Sequence, residues 1–264
     1  MQQRPRFLTA EWRWLAMLNY RVSPQLLAPL VPAGTEIDLW GRDTFISVLA
    51  FRFSKVRMMG IPIPFHTDFD EVNLRFYVSR PLGGQLRRGV VFVKEIVPRS
   101  AVALTARAMY NEPYSVMEMK HRVPDVTRVA ETPPEVEYAF RQPSRWSRIT
   151  VTPKGSPRRI PEASEQEFLS VRHWGYTRQR DGGTVEYRVE HPRWSFWDTS
   201  AAALDADLLP LYGDRFVDIL KRPADSAYLL DGSPVSVSLP ERVAQPRPRV
   251  LREMAATAGL RPTR

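Results

Sequence analysis

Proline is the feature that most limits the architecture of this chain. Of its 264 residues, 24 are proline, and together with 13 glycines they divide the sequence into short segments. Proline cannot donate a backbone hydrogen bond and breaks the interior of a helix, so long helices are disfavoured. Short segments separated by proline and glycine are typical of β-rich proteins, and we therefore predict a β-rich fold.

The clearest strand is predicted at Phe69–Ser79, where apolar and polar residues alternate. One face carries Val72, Leu74, Phe76 and Val78, and the other carries Glu71, Asn73, Arg75 and Tyr77. Neighbouring positions on one face of a strand project side by side, so the polar face is a row of four different functional groups.

This polar row has two interpretations. In the first it is the water-facing side of an ordinary half-buried strand. In the second the sheet closes into a barrel and the row lines a cavity, where Glu71 and Arg75 would bind an anionic or carbonyl ligand. The alternation alone is compatible with both.

The remaining elements are predicted to be short. Helices are predicted at 24–30, at 101–110 with Ser100 as its cap, and after the capping-box pattern Ser164–Glu167. Strands are predicted at 35–39, 44–54, 89–97, 114–121, 135–141, 145–152, 174–180 and 184–190. No segment before residue 240 has the composition of a linker. We expect one domain over 1–240, followed by a flexible C-terminal tail over 241–264.

The net charge of +9 would suggest nucleic acid as a partner. Lysine accounts for only five of the 38 basic residues, so arginine supplies the other 33, and asparagine occurs only three times. Codons for lysine and asparagine begin with two adenines, so a GC-rich genome explains this bias. The basic residues are also scattered among carboxylates. We therefore do not expect nucleic acid as a partner, and binding through an Arg-rich surface remains a third hypothesis.

The sequence lacks the residues or motifs that several kinds of functional site require. There is no cysteine, which excludes disulfides, zinc–thiolate sites and cysteine nucleophiles. Neither a G-x-G-x-x-G nor a Walker A loop occurs, so we expect no cofactor. His66, Asp68 and Asp70 alternate as metal ligands would, but no second histidine lies nearby and we expect no metal.

The sequence also argues against a membrane protein. The longest apolar run, at 26–33, contains Pro29 and Pro32 and is too short to span a bilayer. The first residues show no apolar secretion signal. We expect a cytoplasmic protein without a membrane partner, and a homo-oligomer is compatible with the sequence.

A second candidate region, 101–114, contains Arg107 and the run Tyr110-Asn-Glu-Pro-Tyr114. Asparagine at the end of a helix, followed by proline, is also what an ordinary C-terminal turn requires. The run by itself therefore does not separate a function from turn formation.

Eight blocks, in order along the chain from Phe7 to about Leu239, resemble the YqjF-like family of uncharacterised bacterial proteins. The blocks are Phe7–Arg13, Met17–Tyr20, Phe69–Arg75, Lys94–Pro98, Tyr110–Tyr114, His173–Gly182, Val189–Trp194 and Asp231–Pro234. All three asparagines lie inside them. Through this family the chain is similar to acetoacetate-decarboxylase-like proteins. That resemblance implies an α+β, mainly antiparallel β fold, a β-barrel with short flanking helices and a central cavity.

The resemblance also bears on the reaction. In acetoacetate decarboxylases a lysine forms a Schiff base with the keto acid, and the following lysine activates it. This chain has Tyr114 and Ser115 at those two positions, although Arg107 matches a family arginine and Glu71 matches the cavity glutamate. A phenol and a hydroxyl form no imine, so the resemblance implies the fold and the cavity without the Schiff-base reaction. Lys94 lies nearby in sequence, and the sequence leaves its direction open.

The leading hypothesis is a barrel cavity that holds a small organic anion or carbonyl compound, lined by Glu71, Asn73, Arg75, Arg107 and Tyr114. Arg75 or Arg107 would clamp a carboxylate. Glu71 and Tyr114 are the candidate catalytic residues, as hydrogen-bonding or acid–base groups. The alternative is a lyase, isomerase or hydrolase that acts on a small keto or carboxylic acid without an imine. Whether the ligand is turned over stays open at this point.

Overall fold

The structure, a computed structural model, describes residues 4–124 and 132–244. Within these ranges the chain forms many strands and a few short helices. The strands are β1 (Arg6–Val22), β2 (Glu36–Ile37), β3 (Thr44–Met58), β4 (Ile61–Pro62), β5 (Phe69–Leu82), β6 (Gln85–Val97), β7 (Tyr114–Val116), β8 (Met119–Arg122), β9 (Val136–Arg141), β10 (Trp146–Arg159), β11 (Trp174–Arg178), β12 (Thr184–Glu190), β13 (Ser195–Asp205), β14 (Ser226–Ser238) and β15 (Glu241–Arg242). The helices are α1 (Pro24–Leu27), α2 (Ser100–Tyr110), α3 (Glu165–Ser170), α4 (Leu208–Tyr212) and α5 (Asp214–Leu220), with a 3₁₀ turn at Ala28–Leu30. The prediction of a β-rich fold with short helices is confirmed.

These strands belong to one mixed sheet in which most pairs are antiparallel. Its order is β15-β12-β11-β6-β5-β3-β1-β14-β13-β10-β9-β8, with β2, β4 and β7 pairing at its side. Strand β12 also pairs with β14, between Val189 and Val237. The strands β14, β1, β3, β5, β6, β11 and β12 therefore form a closed series of hydrogen-bonded neighbours.

Strand β5 is buried on both faces from Phe69 to Arg80. The predicted alternation is confirmed, because the apolar side chains Val72, Leu74, Phe76 and Val78 share one core while Tyr77 packs in another. The water-facing interpretation of the polar row is wrong. Glu71 and Asn73 are each only 2% exposed and Arg75 is 7% exposed, because a second layer of side chains covers this face.

Strand β1, which pairs with both β3 and β14, has no counterpart among the predicted strands. Trp14 has a φ of 53°, and the register with β3 shifts between Arg13 and Ala16. This bulge changes the face on which the following residues lie, so Trp12 and Trp14 pack in different cores. A simple alternation therefore does not run along the strand.

Other boundaries differ from the prediction in small ways. The strand predicted at 114–121 is two strands, because β7 pairs with β6 whereas β8 pairs with β9. Helix α2 begins at Ser100 itself, with Arg99 in the capping position. The capping box at Ser164 is confirmed, since its hydroxyl accepts a hydrogen bond from the backbone of Glu167.

The C-terminal segment predicted as a tail starts with a short strand, β15, which pairs with β12. Residues 245–264 lie outside the described residues. Among the helices of the described ranges, none has both the length and the apolar character needed to cross a bilayer.

Candidate functional site

A cavity of about 370 Å³ lies between the closed series of strands and helix α2. Eight aromatic residues form much of its wall: Phe7, Trp12, Phe53, Phe69, Phe92, Tyr110, Tyr114 and Tyr187. Three carboxyl groups also line it, those of Glu71, Glu95 and Glu112, which we call the carboxyl cluster. Among the lining residues, all within the described ranges, there is no lysine or arginine. The cavity is thus apolar and aromatic, with acidic side chains as its main polar groups.

Glu71 is held by two hydrogen bonds, one from its own strand β5 and one from β7. The Nδ2 atom of Asn73, two residues along β5, donates to its Oε1 atom at 3.0 Å, and the hydroxyl of Tyr114 donates to its Oε2 atom at 3.1 Å. Burial raises the pKa of Glu71 to about 7, although both hydrogen bonds and the charge of Arg75 act in the opposite direction. Its carboxyl group is therefore fixed in place and changes charge near neutral pH.

Tyr114 is positioned by the connection from β6 through α2 to β7. Strands β6 and β7 are parallel, so a crossover is required, and α2 supplies it. Asn111 ends the helix in the left-handed conformation with a φ of 60°, as the turn interpretation predicts. Arg107, in the last turn of α2, donates from Nε to the backbone oxygen of Tyr114 at 3.0 Å. Helix, turn and guanidinium together fix the tyrosine that faces Glu71.

Glu95 is a site residue that the sequence prediction misses. It pairs with Asn73 across β5 and β6, and with Tyr114 across β6 and β7, so it lies on the same face as both. It is 1% exposed, and its Oε2 atom has no hydrogen-bond partner among the described residues. Burial, and then the charges of Glu112 and Glu71, raise its pKa well above the usual range. This carboxyl group therefore favours its protonated form more than an exposed glutamate does, and its Oε2 atom lies beside the cavity.

Glu112 and Tyr187 are the other missed residues. The hydroxyl of Tyr187 donates to Oε1 of Glu112, and the hydroxyl of Thr177 reaches the same atom at 3.4 Å. Burial is the main reason that the pKa of Glu112 rises to about 8. Gly175 makes this arrangement possible, because a Cβ atom at that position would collide with the ring of Tyr187. Gly175 lies in the block His173–Gly182, which resembles the family. That resemblance is the one feature of the sequence that points to this position.

The two predicted arginines do not line the cavity. Arg75 lies one step further along β5, where its Nη2 atom donates to the backbone oxygen of Leu169 at 3.1 Å. Its Nε atom has no hydrogen-bond partner in the part of the chain that the structure describes. Its guanidinium lies 5.8 Å from the centre of the Tyr77 ring. Arg107 is exposed and acts on the backbone of Tyr114. Of the five predicted residues, Glu71 and Tyr114 line the cavity. Asn73 donates a hydrogen bond to Glu71, and Arg107 donates one to the backbone of Tyr114.

Lys94 is directed away from the cavity. It pairs with Leu74 across β5 and β6, and paired residues project on the same side of a sheet. Leu74 packs in the core on the opposite face from Glu71. Burial lowers the pKa of Lys94, but its position on the other face separates it from the carboxyl cluster.

The candidate metal ligands are separated as well. His66 makes its hydrogen bond with the backbone of Pro64, and Asp70 pairs with His121, Nδ1 to Oδ2, at 2.8 Å. Nowhere in residues 4–124 and 132–244 do three histidine, aspartate or glutamate side chains gather in a way that would hold a metal ion.

Comparison with known proteins gives the relationships of the chain. A family model described as an uncharacterized conserved protein, DUF2071, matches residues 9–233. The uncharacterized protein YqjF of Bacillus subtilis (strain 168) is 26% identical over 184 residues, which are 69% of this chain and 72% of that protein.

Solved structures agree on the fold. Acetoacetate decarboxylase from Legionella pneumophila superposes with a TM-score of 0.62 at 14% identity, covering 92% of this chain and 90% of the other. The enduracididine biosynthesis enzyme MppR, complexed with pyruvate, gives 0.65 at 15% identity, with 93% of each chain covered. An acetoacetate decarboxylase-like enzyme from Sphingomonas wittichii RW1 gives 0.62 at 13% identity, covering 90% and 92%. At these identities the likeness concerns the fold, which is acetoacetate decarboxylase-like. The family model that matches residues 9–233 shows that this chain belongs to the DUF2071 family.

Proposed function

We propose that this protein binds a small, uncharged carbonyl compound in the cavity, without forming an imine. The closed series of strands supports a barrel as the frame of this cavity. The observation that carries the proposal is the composition of the wall, which is aromatic and apolar with hydrogen-bonding carboxyl and phenol groups. A volume of about 370 Å³ is within the range of small-molecule sites.

The carboxyl cluster favours a carbonyl compound over an anion. The described lining residues include three buried glutamates, no arginine or lysine, and a single histidine, His66. A carboxylate would be repelled whenever one of the glutamates is charged. In their protonated form the same groups donate hydrogen bonds, and a carbonyl oxygen accepts them. The anion in the leading hypothesis would depend on Arg75 or Arg107, and neither guanidinium lines the cavity.

The direction of Lys94 supports binding without an imine. The chain has Tyr114 at the position where the resemblance places a Schiff-base lysine, and Lys94 lies on the other face of the sheet. A keto group in the cavity would therefore be held by hydrogen bonds and by contact with the aromatic wall.

The test is a matched pair of ligands. MppR is described as complexed with pyruvate, which makes keto compounds the first probes. We choose 6-oxoheptanoate and its methyl ester, because they share a methyl ketone and an apolar chain and differ in charge. Calorimetric titration should show the ester binding at least about tenfold more tightly, equivalent to about 1.4 kcal/mol.

Two variants of helix α2 locate the binding. Ala106 lines the cavity and Ala108 is exposed on the same helix. Ala106→Phe should fill the cavity and abolish binding of the ester, whereas Ala108→Phe should leave it unchanged. Tighter binding of the anion, or unchanged binding in Ala106→Phe, contradicts the proposal.

A further inference from the structure

We propose that the cavity is an enolising site, in which Glu71 takes a proton from the carbon beside the ligand's carbonyl and Glu95 protonates the carbonyl oxygen. This rests on the proposed function, because the reaction requires a carbonyl ligand in the cavity. It goes further by assigning a reaction and a role to each of two carboxyl groups.

Glu71 has the geometry of a base. Its carboxylate accepts from Asn73 at 3.0 Å and from Tyr114 at 3.1 Å, and both donors stabilise the charged form. Each carboxylate oxygen has a second lone pair, so these two hydrogen bonds leave room for a proton from the ligand. Asn73 and Tyr114 come from different strands and hold the group rigidly on the wall of the cavity.

Glu95 has the geometry of an acid. It is 1% exposed and lines the cavity, and within residues 4–124 and 132–244 its Oε2 atom lacks a hydrogen-bond partner. A buried polar atom without a partner destabilises the folded protein, and a carbonyl oxygen in the cavity would supply that partner. Burial, and then the charges of Glu112 and Glu71, raise the pKa of Glu95 and favour its protonated form, which can donate this hydrogen bond.

Glu112 is less suited to either role. Its Oε1 atom already receives the hydroxyls of Tyr187 and Thr177, which tie it to β11 and β12. Its contribution is electrostatic, because its charge is one of the causes that raise the pKa of Glu95. We therefore assign Glu71 and Glu95 to the proton transfers, and Glu112 to the electrostatic surroundings of Glu95.

The step is balanced within the protein and its ligand. The C–H bond beside the carbonyl breaks, and its electron pair forms a C=C bond while the proton goes to Glu71. The π pair of the carbonyl moves to the oxygen, which takes the proton of Glu95, and the product is an enol. Return of both protons restores the ketone and both side chains, so no oxidant, reductant or second substrate is needed.

The experiment follows the hydrogens of methyl 6-oxoheptanoate in D2O by proton NMR, with the whole chain present. Exchange of the hydrogens beside the ketone should exceed that in buffer alone. The rate of exchange due to the protein is the observed rate minus the rate in buffer. In Glu71→Gln this rate should fall about 100-fold, a typical contribution of general acid–base catalysis, and Glu95→Gln should also lower it. The matched control Glu118→Gln changes an exposed glutamate and should keep the wild-type rate.

The outcomes separate the two proposals. If calorimetry shows that the ester binds and exchange is no faster than in buffer, enolisation is wrong and binding stands. If the ester does not bind, the proposed function fails and enolisation fails with it. Should a glutamine variant not fold, blocking the cavity with Ala106→Phe must stop the exchange while Ala108→Phe retains it, and equal rates in these two would overturn the inference.

Discussion

Buried glutamates occur in two contrasting settings in this protein. Glu186 is 3% exposed and meets three arginines: Arg4 at 2.7 Å, Arg80 at 2.9 Å, and Arg87. The carboxyl cluster of Glu71, Glu95 and Glu112 is buried to the same degree, yet it meets mainly phenols, an amide and other carboxyl groups.

The difference teaches how burial and partners together decide the role of a charge. Arginines surround Glu186, and two of them also lie over the ring of Trp174, so this group joins several parts of the chain as an ion-pair network. In the carboxyl cluster, desolvation outweighs the opposing charge of Arg75 at Glu71 and raises the pKa of each of the three groups. A cluster of this kind costs stability, and buried groups with raised pKa values are typical of functional sites.

The largest effect should follow from breaking the Glu186 network. Glu186→Gln leaves three buried or half-buried arginines without their shared counter-charge, and we expect it to lower the free energy of unfolding by about 3–5 kcal/mol. Urea denaturation at neutral pH measures this, with Glu118→Gln as the exposed control. An equal loss in Glu112→Gln would mean that the two settings do not differ as described.

The carboxyl cluster should make the protein less stable as the pH rises. The pKa of Glu71 is near 4.5 in the unfolded chain and about 7 in the folded one, and that of Glu112 is about 8 when folded. The folded state thus binds more protons than the unfolded state, and stability present below pH 4.5 is lost as the pH rises through 7 and 8. For Glu71 the loss is on the order of 3 kcal/mol.

This pH dependence is measured by urea denaturation at pH 5 and pH 8.5. Because other groups titrate in the same range, the quantity of interest is the difference between the wild type and Glu71→Gln. Glutamine carries no charge at either pH, so the variant should lose less stability across the interval. A variant whose stability falls as steeply as that of the wild type would show that folding does not raise the pKa of Glu71.

A smaller effect is expected where the cluster depends on packing. Gly175→Ala introduces a Cβ atom against the ring of Tyr187, and overpacking of this kind costs about 1–3 kcal/mol. The displaced ring would also withdraw its hydroxyl from Glu112. In a Tyr187→Leu background the added cost of Gly175→Ala should be much smaller, and a double-mutant cycle by urea denaturation measures that coupling. Two simply additive losses would show that the glycine has another role.

Half of this site could be predicted from the sequence because it lies within a single strand. The alternation along β5 places Glu71 and Asn73 on one face, and the family resemblance adds Tyr114. The same alternation predicts Arg75 on the cavity. Alternation predicts which face of the strand a side chain lies on, but it does not predict how far along that face the cavity extends. The backbone of Leu169 covers that end of the face, so Arg75 points toward α3.

The missing half depends on contacts between strands. Glu95 becomes a neighbour of Asn73 and Tyr114 only through the register of three strands, and that register shifts at Leu74 and Arg75. A local pattern does not reveal such a shift. The same limit explains β1, where a bulge at Trp14 interrupts the alternation.

The smallest effect on stability should come from Arg107, which connects α2 to the cluster from outside. Its guanidinium is exposed, so Arg107→Gln should change the free energy of unfolding by less than about 1 kcal/mol. Its hydrogen bond to the Tyr114 backbone nevertheless fixes the phenol that donates to Glu71. We expect the affinity for methyl 6-oxoheptanoate to fall about threefold, equivalent to about 0.6 kcal/mol, in calorimetric titration. Arg99→Gln, an exposed change at the other end of α2, should leave that affinity unchanged. If both variants bind the ester equally well, the position of Tyr114 comes from the β6–β7 pairing alone, and the exposed arginine does not belong to the site.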